Sequence, residues 1–593
     1  MPPHTLNDIF FAIVDRKLDQ VMLARETSFW RAISSQELYR DVVGVARAFV
    51  HWGVKKGDRI AILSENRAEW AIADFASLLV GAVVVPIYST LTAAQTAYIL
   101  GDCGARVAVL STEEQLNKVL SIKQQTAVEK VLVMDAVDTS EALPMKQLMH
   151  KGPAGRDTEL EARSHSIVFN DLASIIYTSG TTGHAKGVQL THGNLTSNVL
   201  NSMHGFNVKP GDISISFLPL SHVTARHADL ALLYRGVTLA YCPFFEQLPQ
   251  ILQAVRPTIF IAVPRVYEKI YLQVKQKASS RAKRALYRWA LSVGRNHRST
   301  ILAGEIPTST SWTLANKLLF SKVRAQMGGR VEIFVSGGAP LGLELATWYA
   351  DIGIRIHEGY GLTETSPVIA INNPTAHKIG SVGRPLPNVE VRIAEDSEIL
   401  VRGPSVFGAY WNRPEETRDA FVDGWFKTGD IGRIDEDGFL SVTDRKKDLL
   451  KTAGGKFIAP QPVENSLKLN VLVGTAVVLG DRRKFASVLI SPHFPQLEEW
   501  ARTNRISFSS RESLVEHPKV KTLYEDIVGE VNRGLARYET LKKVLLVPDE
   551  FNSVDGTLTP TLKLRRRVIE ERYRAQIDRL YYEAEQVTFR TGT

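Results

Sequence analysis

The apolar positions in the first third of the chain fall into short, β-branched runs separated by longer stretches with helical spacing. RIAIL at 59 to 63 is followed by ENRAEWAIADFASLLVG, then AVVVPIY, then LTAAQTAYILGDCG, then ARVAVLS. Strand-length runs alternating with amphipathic segments predict βαβ units and a parallel sheet. The same rhythm returns at SISFLPL, GVTLAYC, PTIFIAV and VEIFVSG, so several further parallel strands are expected before residue 360. Near residue 380 the pattern shortens. VEVRI, EILVRG, IGRID and GFLSVTD are divided by acidic turns, with DEDG at 435 to 438 as a hairpin connection, which predicts an antiparallel unit. Beyond DRKKDLLKTAGGK at 444 to 456, strands are expected around 475 to 491 and 543 to 547, and helices around 511 to 536 and 564 to 585.

This organisation predicts an α/β protein. The expected division is a large N-terminal region of parallel α/β sheets, 1–446, with a smaller antiparallel β subdomain at about 380–446, and a small α+β C-terminal domain, 447–593, the boundary falling near 444 to 450. Length requires such a division, because a hydrophobic core stops growing at roughly 250 to 300 residues and this chain has 593. No tandem repeat or low-complexity tract interrupts the pattern.

Charge changes the picture modestly. The 72 Lys and Arg against 63 Asp and Glu favour anionic ligands, but so small an excess, without a recognition motif, argues against nucleic acid. The basic stretch RAKRALYRWALSVGRNHR at 281 to 298 has helical spacing; a solvated helix face accounts for it more readily than a lipid-facing one. Only Cys103 and Cys242 occur, without metal-ligand or redox spacing, and no run of about 18 apolar residues is present. The expectation is a cytoplasmic protein, with peripheral attachment to the inner face of a membrane as the variant reading.

The densest chemistry lies in IIYTSGTTGHAKGVQLTH at 175 to 192, an apolar strand that ends in hydroxyls and glycines, with a helix-like segment expected after it. Glycines allow backbone N–H groups to approach an anion, hydroxyls add donors, and Lys186 adds a mobile positive charge. A Walker A loop is excluded, since from Gly180 its pattern requires Gly and Ser or Thr where Ala185 and Gly187 stand.

This segment resembles the phosphate loop of the adenylate-forming superfamily, which includes acyl-CoA synthetases, luciferases and peptide-synthetase adenylation domains. FVSGGAPL at 334 to 341 resembles the adenine-side loop of that family, HEGYGLTETSP at 357 to 367 its second nucleotide motif, and GWFKTGD at 424 to 430 its ribose motif. TDRKKDLLKTAGGKFIAPQPVE at 443 to 464 resembles its hinge, and PTLKLRRR at 560 to 567 its C-terminal lysine motif. The motifs keep the family's order, and AILSENRAEW, PIYSTLTAAQTAYIL and LPLSHVTAR look most like the long-chain fatty acid branch.

The resemblance implies an AMP-forming ligase that joins a fatty acid to coenzyme A through an acyl-adenylate, with ATP, Mg2+ and coenzyme A as its small-molecule partners. It assigns ATP or AMP binding to Thr178, Ser179, Gly180, Thr181, Thr182, Gly183, Gly338, Ala339, Pro340, Gly359, Tyr360, Gly361, Asp430 and Arg445. Thr363, Glu364, Lys186 and Lys563 are the implied catalytic residues, Glu364 the metal ligand and Lys447 the hinge. Gly454, Gly455 and Lys456 would approach coenzyme A, and His222 and Val223 the acyl carboxylate. Residue chemistry agrees: Asp430 offers two acceptor oxygens to ribose hydroxyls, Glu364 a hard oxygen to Mg2+, and Tyr360 a flat face to adenine. Three departures stand out: His184-Ala185 in place of a residue and proline, Lys427 where an aromatic residue is usual, and Ala225 in place of an acid before Arg226. Two alternatives stay open, an acyl-AMP ligase that loads a carrier protein and a CoA ligase for aryl or medium-chain acids.

Overall fold

The RIAIL run becomes a strand, Arg59–Leu63, because its alternate side chains are buried on both faces by helices, the usual setting of a parallel strand. It pairs in parallel with Val83–Ile87 and Val107–Leu110, with Ile60 opposite both Val84 and Val107. A computed structural model describes the chain except for residues 1, 27–28, 179–184, 279, 454–455, 553–554, 560–563 and 592–593, and the side chains of 584–591.

Among the described residues the N-terminal part contains an eight-stranded and a nine-stranded sheet, both largely parallel with antiparallel edges. Helices fill the space between them. The helix Ala68–Leu79 is buried along its whole length and touches strands of both sheets, so its polar face is nearly absent. The largest apolar core accordingly mixes residues of both sheets, including Trp70, Phe75, Leu190, Val223 and Leu239.

The short acidic turns after residue 380 connect an antiparallel five-stranded sheet built from Glu390–Ile393, Glu398–Arg402, Phe421–Val422, Trp425–Ile434 and Leu440–Arg445. After it, a hairpin of Leu450–Lys451 and Phe457–Ile458 leads to a three-stranded sheet, Val473–Leu479, Ala486–Pro492 and Leu541–Leu546, the last strand parallel to its neighbour. Two apolar clusters drawn from residues 450 to 581 hold this C-terminal part together.

Two expectations need refinement. The segment after the phosphate loop is a strand, Lys186–Thr191, antiparallel to Leu172–Thr178, and the helix begins only at His192. KGVQLT prefers a ladder because Val188 and Leu190 alternate inward onto the core. The long C-terminal helices are each broken in two: Arg511–Glu516 from Pro518–Asn532 at Pro518, and Arg566–Arg572 from Arg574–Thr591.

The basic stretch at 281 to 298 lies in the helix Arg281–Leu302. Ala290, Leu291, Val293 and Ile301 turn into the core, and Arg298 grips Asp351 through two bonds of 2.7 and 3.0 Å. Its apolar face is therefore used internally. No helix among the described residues is long and apolar enough to cross a membrane.

Candidate active site

Thr178 and Lys186 stand opposite each other at the open end of a two-strand ladder and flank Ser179, Gly180, Thr181, Thr182 and Gly183 in sequence. Those five residues lie outside the described part. Gly187 makes the base tight: a Cβ there would come within 2.7 Å of Ile175 and 3.2 Å of the Tyr177 ring. Tyr98 also closes on it, its hydroxyl donating to the Ala185 carbonyl at 3.1 Å.

The Lys186 ammonium lies 5.3 Å from the centroid of the Tyr410 ring, and the Tyr410 hydroxyl donates to Glu364 Oε1 at 2.9 Å. Tyr410 reaches this position because Ala409–Tyr410 adds to the edge of the Lys186–Thr191 strand, with Tyr410 opposite Val188. Burial, and then the Glu364 charge, push the Tyr410 phenol well above its ordinary range, which keeps it a donor. Glu364 occupies a 3-10 turn, Thr363–Thr365, fixed by the Phe407 N–H on the Glu364 carbonyl at 2.8 Å and by the Leu362 N–H on Thr365 Oγ1 at 3.0 Å. Thr363 is buried at the start of that turn.

A second cluster forms around Asp430, which is 4% exposed. Its Oδ2 accepts from the Tyr360 hydroxyl at 2.7 Å and its Oδ1 meets Arg445 Nε at 3.2 Å, while the Asp430 N–H is held by Thr428 Oγ1 at 3.1 Å. Asp430 and Arg445 are direct cross-strand partners in the antiparallel sheet. Sheet register therefore sets this pair, which composition alone does not reveal. Gly361, beside Tyr360, has no room for a side chain: its Cβ would sit 1.7 Å from the Pro367 carbonyl oxygen.

The adenine-side loop leaves the strand Ile333–Ser336. Gly338 takes a left-handed φ of +82°, and Ala339 is exposed with Pro340 beside it. Glu358 anchors the loop by accepting the Leu341 N–H at 3.2 Å, and burial raises its carboxyl to about 7. Gly359 follows it in the strand Ile356–Gly361 and runs antiparallel to Val368–Ile371.

Lys447 is exposed and follows a heavily fixed residue. The Lys446 N–H donates to the Gly429 carbonyl at 2.8 Å, and its ammonium pairs with Asp396 and Glu398 at 2.6 and 2.7 Å. On either side of Lys447, the Gln461 N–H donates to Asp444 Oδ2 at 3.1 Å. Lys456 is exposed, and its carbonyl closes the hairpin turn by accepting the Thr452 N–H at 2.9 Å; Gly454 and Gly455 lie outside the described residues. Lys563 does too, but its loop has a defined base: Leu558 bridges Leu564, and Arg566 is pinned by Glu464 at 2.6 Å and the Val478 carbonyl at 2.7 Å.

His222 caps the helix Val223–Tyr234, its Nδ1 accepting the Thr224 N–H at 3.2 Å, and Val223 is 1% exposed within the main core. Their described contacts are thus structural. Two site residues escaped the sequence reading, Tyr410 and Glu358. The first is part of the aromatic run FGAYW, and nothing in that run signals Lys186 as its neighbour; the second lies inside the motif HEGYGLTETSP but was given no role of its own there.

The glycine-flanked strand ends, the carboxylate within a 3-10 turn and the Asp–Arg cross-strand pair bring together the motifs that resemble those of the adenylate-forming class. The chain matches the AMP-binding enzyme family over residues 10–411 and the AMP-binding enzyme C-terminal domain over 447–585, and it belongs to that family. Among similar proteins, the long-chain-fatty-acid–CoA ligase FadD15 of Mycobacterium bovis is 36% identical over 589 residues, 98% of this chain and 96% of that protein. The long-chain-fatty-acid–CoA ligase ACSBG1 of Homo sapiens is 30% identical over 98% of this chain and 86% of its own length. The solved anthranilate CoA ligase AuaEII, in complex with anthranoyl-AMP, shares the fold at a TM-score of 0.74 and 20% identity, covering 97% of this chain and 98% of that one. The A-PCP didomain of the carboxylic acid reductase from Segniliparus rugosus, in complex with AMP, does so at 0.75 and 20% identity, over 98% of this chain and 83% of that one.

Proposed function

We propose that this chain is a long-chain fatty acid–CoA ligase that works through an acyl-adenylate. Its principal support is the pairing of two carboxylate clusters, Tyr360–Asp430–Arg445 and Lys186–Tyr410–Glu364, brought together from four separate motifs. The full-length similarity to fatty acid ligases supports the substrate class.

In the first half-reaction a carboxylate oxygen of the fatty acid attacks the α-phosphorus of ATP; the new O–P bond forms as the P–O bond to pyrophosphate breaks. Both reactants are anionic, so cations must lie between them. Lys563 is assigned to span carboxylate and α-phosphate, and Lys186 to the phosphate loop. Asp430 accepts the ribose hydroxyls, Tyr360 faces adenine and Gly338 to Pro340 line its edge. Glu364 fits Mg2+ as a hard oxygen donor that Tyr410 already orients, and the ion, when bound, would neutralise the departing pyrophosphate. In the second half-reaction the thiol sulfur of coenzyme A attacks the acyl carbonyl carbon, forming C–S and releasing AMP with the cleaved C–O bond.

The chain is assigned a division at 446/447, with Lys447 as the joint about which the C-terminal part exchanges the Lys563 loop for the Thr452–Lys456 turn. Peripheral membrane contact is compatible with this chemistry, since the acid is lipophilic.

The test is ATP–pyrophosphate exchange across fatty, aromatic and short acids, with consumption of coenzyme A and of a phosphopantetheinyl carrier measured in parallel. Exchange with long-chain acids and consumption of coenzyme A are expected. Lys563→Ala is expected to abolish acid-dependent exchange while thioester formation from supplied palmitoyl-adenylate persists. Exchange with aromatic acids alone would overturn the substrate class, and equal loss of both half-reactions would overturn the role of Lys563.

A further inference from the structure

The helix Ala93–Cys103 carries Tyr98 and Asp102 four residues apart, hence on one face and one turn from each other. Tyr98 reaches the ladder that bears Lys186. Its hydroxyl donates to the Ala185 carbonyl at 3.1 Å and accepts from Arg413 Nη2 at 3.2 Å. A phenol has one proton to give, so the Arg413 donor leaves that proton committed to Ala185.

Asp102 gathers the other contacts. Its backbone carbonyl accepts the Trp411 indole Nε1 at 2.9 Å and Asn412 Nδ2 at 3.4 Å. Its Oδ2 accepts from the Tyr177 hydroxyl at 2.5 Å, and its Oδ1 lies 3.7 Å from the Arg413 guanidinium that meets Tyr98. Trp411 in turn donates its backbone N–H to the Gly187 carbonyl at 2.7 Å, and Tyr177 is the cross-strand partner of Gly187. The carbonyls of the residues on either side of Lys186 are therefore each held, one by Tyr98 and the other by Trp411. Both holders are tied to one turn of a single helix.

Ala185 needs such a hold. It stands where a proline would fix φ at about −65°, and alanine leaves that torsion free. A looser backbone must be ordered when a ligand binds, at a cost in affinity. Lys186 lies on the pyrophosphate side of the site: its ammonium is 5.3 Å from the centroid of the Tyr410 ring, whose hydroxyl donates to Glu364, the assigned Mg2+ ligand.

We infer, resting on the ligase reading above, that Tyr98, anchored through Arg413 to Asp102, is a positioning residue that pre-orders Lys186 for the outer phosphates of ATP. Tyr98 acts through the Ala185 carbonyl and not on the nucleotide itself. Its hydroxyl supplies by a hydrogen bond the restraint that Ala185 lacks covalently, so part of the ordering that ATP would otherwise impose is already present in the free enzyme.

The experiment measures ATP–pyrophosphate exchange with palmitate, and binding of MgATP and of AMP by isothermal titration, for wild type, Tyr98→Phe and Arg413→Gln. Tyr98→Phe removes one neutral hydrogen bond and should raise both KM and Kd for ATP about three- to tenfold. The kcat, the KM for palmitate and the Kd for AMP, which lacks the outer phosphates, should stay at wild-type values. Arg413→Gln unties Tyr98 from Asp102 and should raise KM and Kd for ATP about threefold. A bond that only held the fold together would lower the fraction of active enzyme, and so kcat, without moving KM. An unchanged KM for ATP in Tyr98→Phe, a loss confined to kcat, or equal weakening of ATP and AMP would overturn the inference; should Tyr98→Phe fail to fold, an unchanged KM for ATP in Arg413→Gln overturns it alone. A wild type that exchanges pyrophosphate with no acid at all would instead sink the ligase reading.

Discussion

The ion pair between Asp74 and Arg226 offers the sharpest test of how the two large sheets are held. Arg226 donates to Asp74 through Nε at 2.8 Å and Nη2 at 2.6 Å, and through Nη1 to Ser174 Oγ at 2.8 Å; the Ser174 hydroxyl donates in turn to the Val84 carbonyl at 2.7 Å. The two side chains are 2% and 3% exposed, so water screens neither charge. Burial pushes the Asp74 carboxyl up and the guanidinium opposes that push. Asp74→Asn keeps the shape but leaves a buried guanidinium without its counter-charge. Removing one partner of such a pair costs about 3 to 5 kcal/mol, whereas replacing both by apolar groups is often neutral. Asp74→Asn and Arg226→Met should therefore each lose about 3 kcal/mol or more in urea unfolding, while Asp74→Leu/Arg226→Met should lose far less than the sum. A single substitution costing under about 1 kcal/mol, the range of an exposed pair, would refute the reasoning.

Two further outcomes follow from the nucleotide side. Burial raises the Glu358 carboxyl from 4.5 to about 7, so the folded state holds a proton that the unfolded chain has released between those values. Its contribution to stability, about 3 kcal/mol, is full below pH 4.5 and is lost as pH rises through about 7; Glu358→Gln should flatten the pH dependence of the urea midpoint over that window, and an unchanged slope would contradict it. Asp430→Asn replaces a charged acceptor by a neutral one and should weaken AMP binding by about 1.5 to 3 kcal/mol, or roughly 10- to 150-fold, in isothermal titration; an unaltered Kd would remove Asp430 from the ribose site.

Local periodicity carried much of the fold. RIAIL is a strand to the residue, and the acidic turns after 380 do divide antiparallel strands, because both signals are set by neighbours in sequence. The strand Lys186–Thr191 was harder to read, since KGVQLT owes its ladder to Leu172–Thr178 across a loop and to Ala409–Tyr410 from far along the chain. For the same reason Asp430 and Arg445 were legible as motif members but not as cross-strand partners. Tyr410 stayed hidden because its role exists only once a remote edge strand is added.

Lys446 is anchored to the antiparallel sheet by its own N–H and by two carboxylates, and the residue proposed above as the pivot, Lys447, directly follows it. A swivel of one residue has a geometric consequence. Any swing of the C-terminal unit must trace an arc about a nearly stationary point, since a neighbouring Cα lies only about 3.8 Å away. A unit that pivots there would not drift off. Such a turn would release the Asp448 and Leu449 N–H groups from the Arg445 carbonyl and the Gln461 N–H from Asp444.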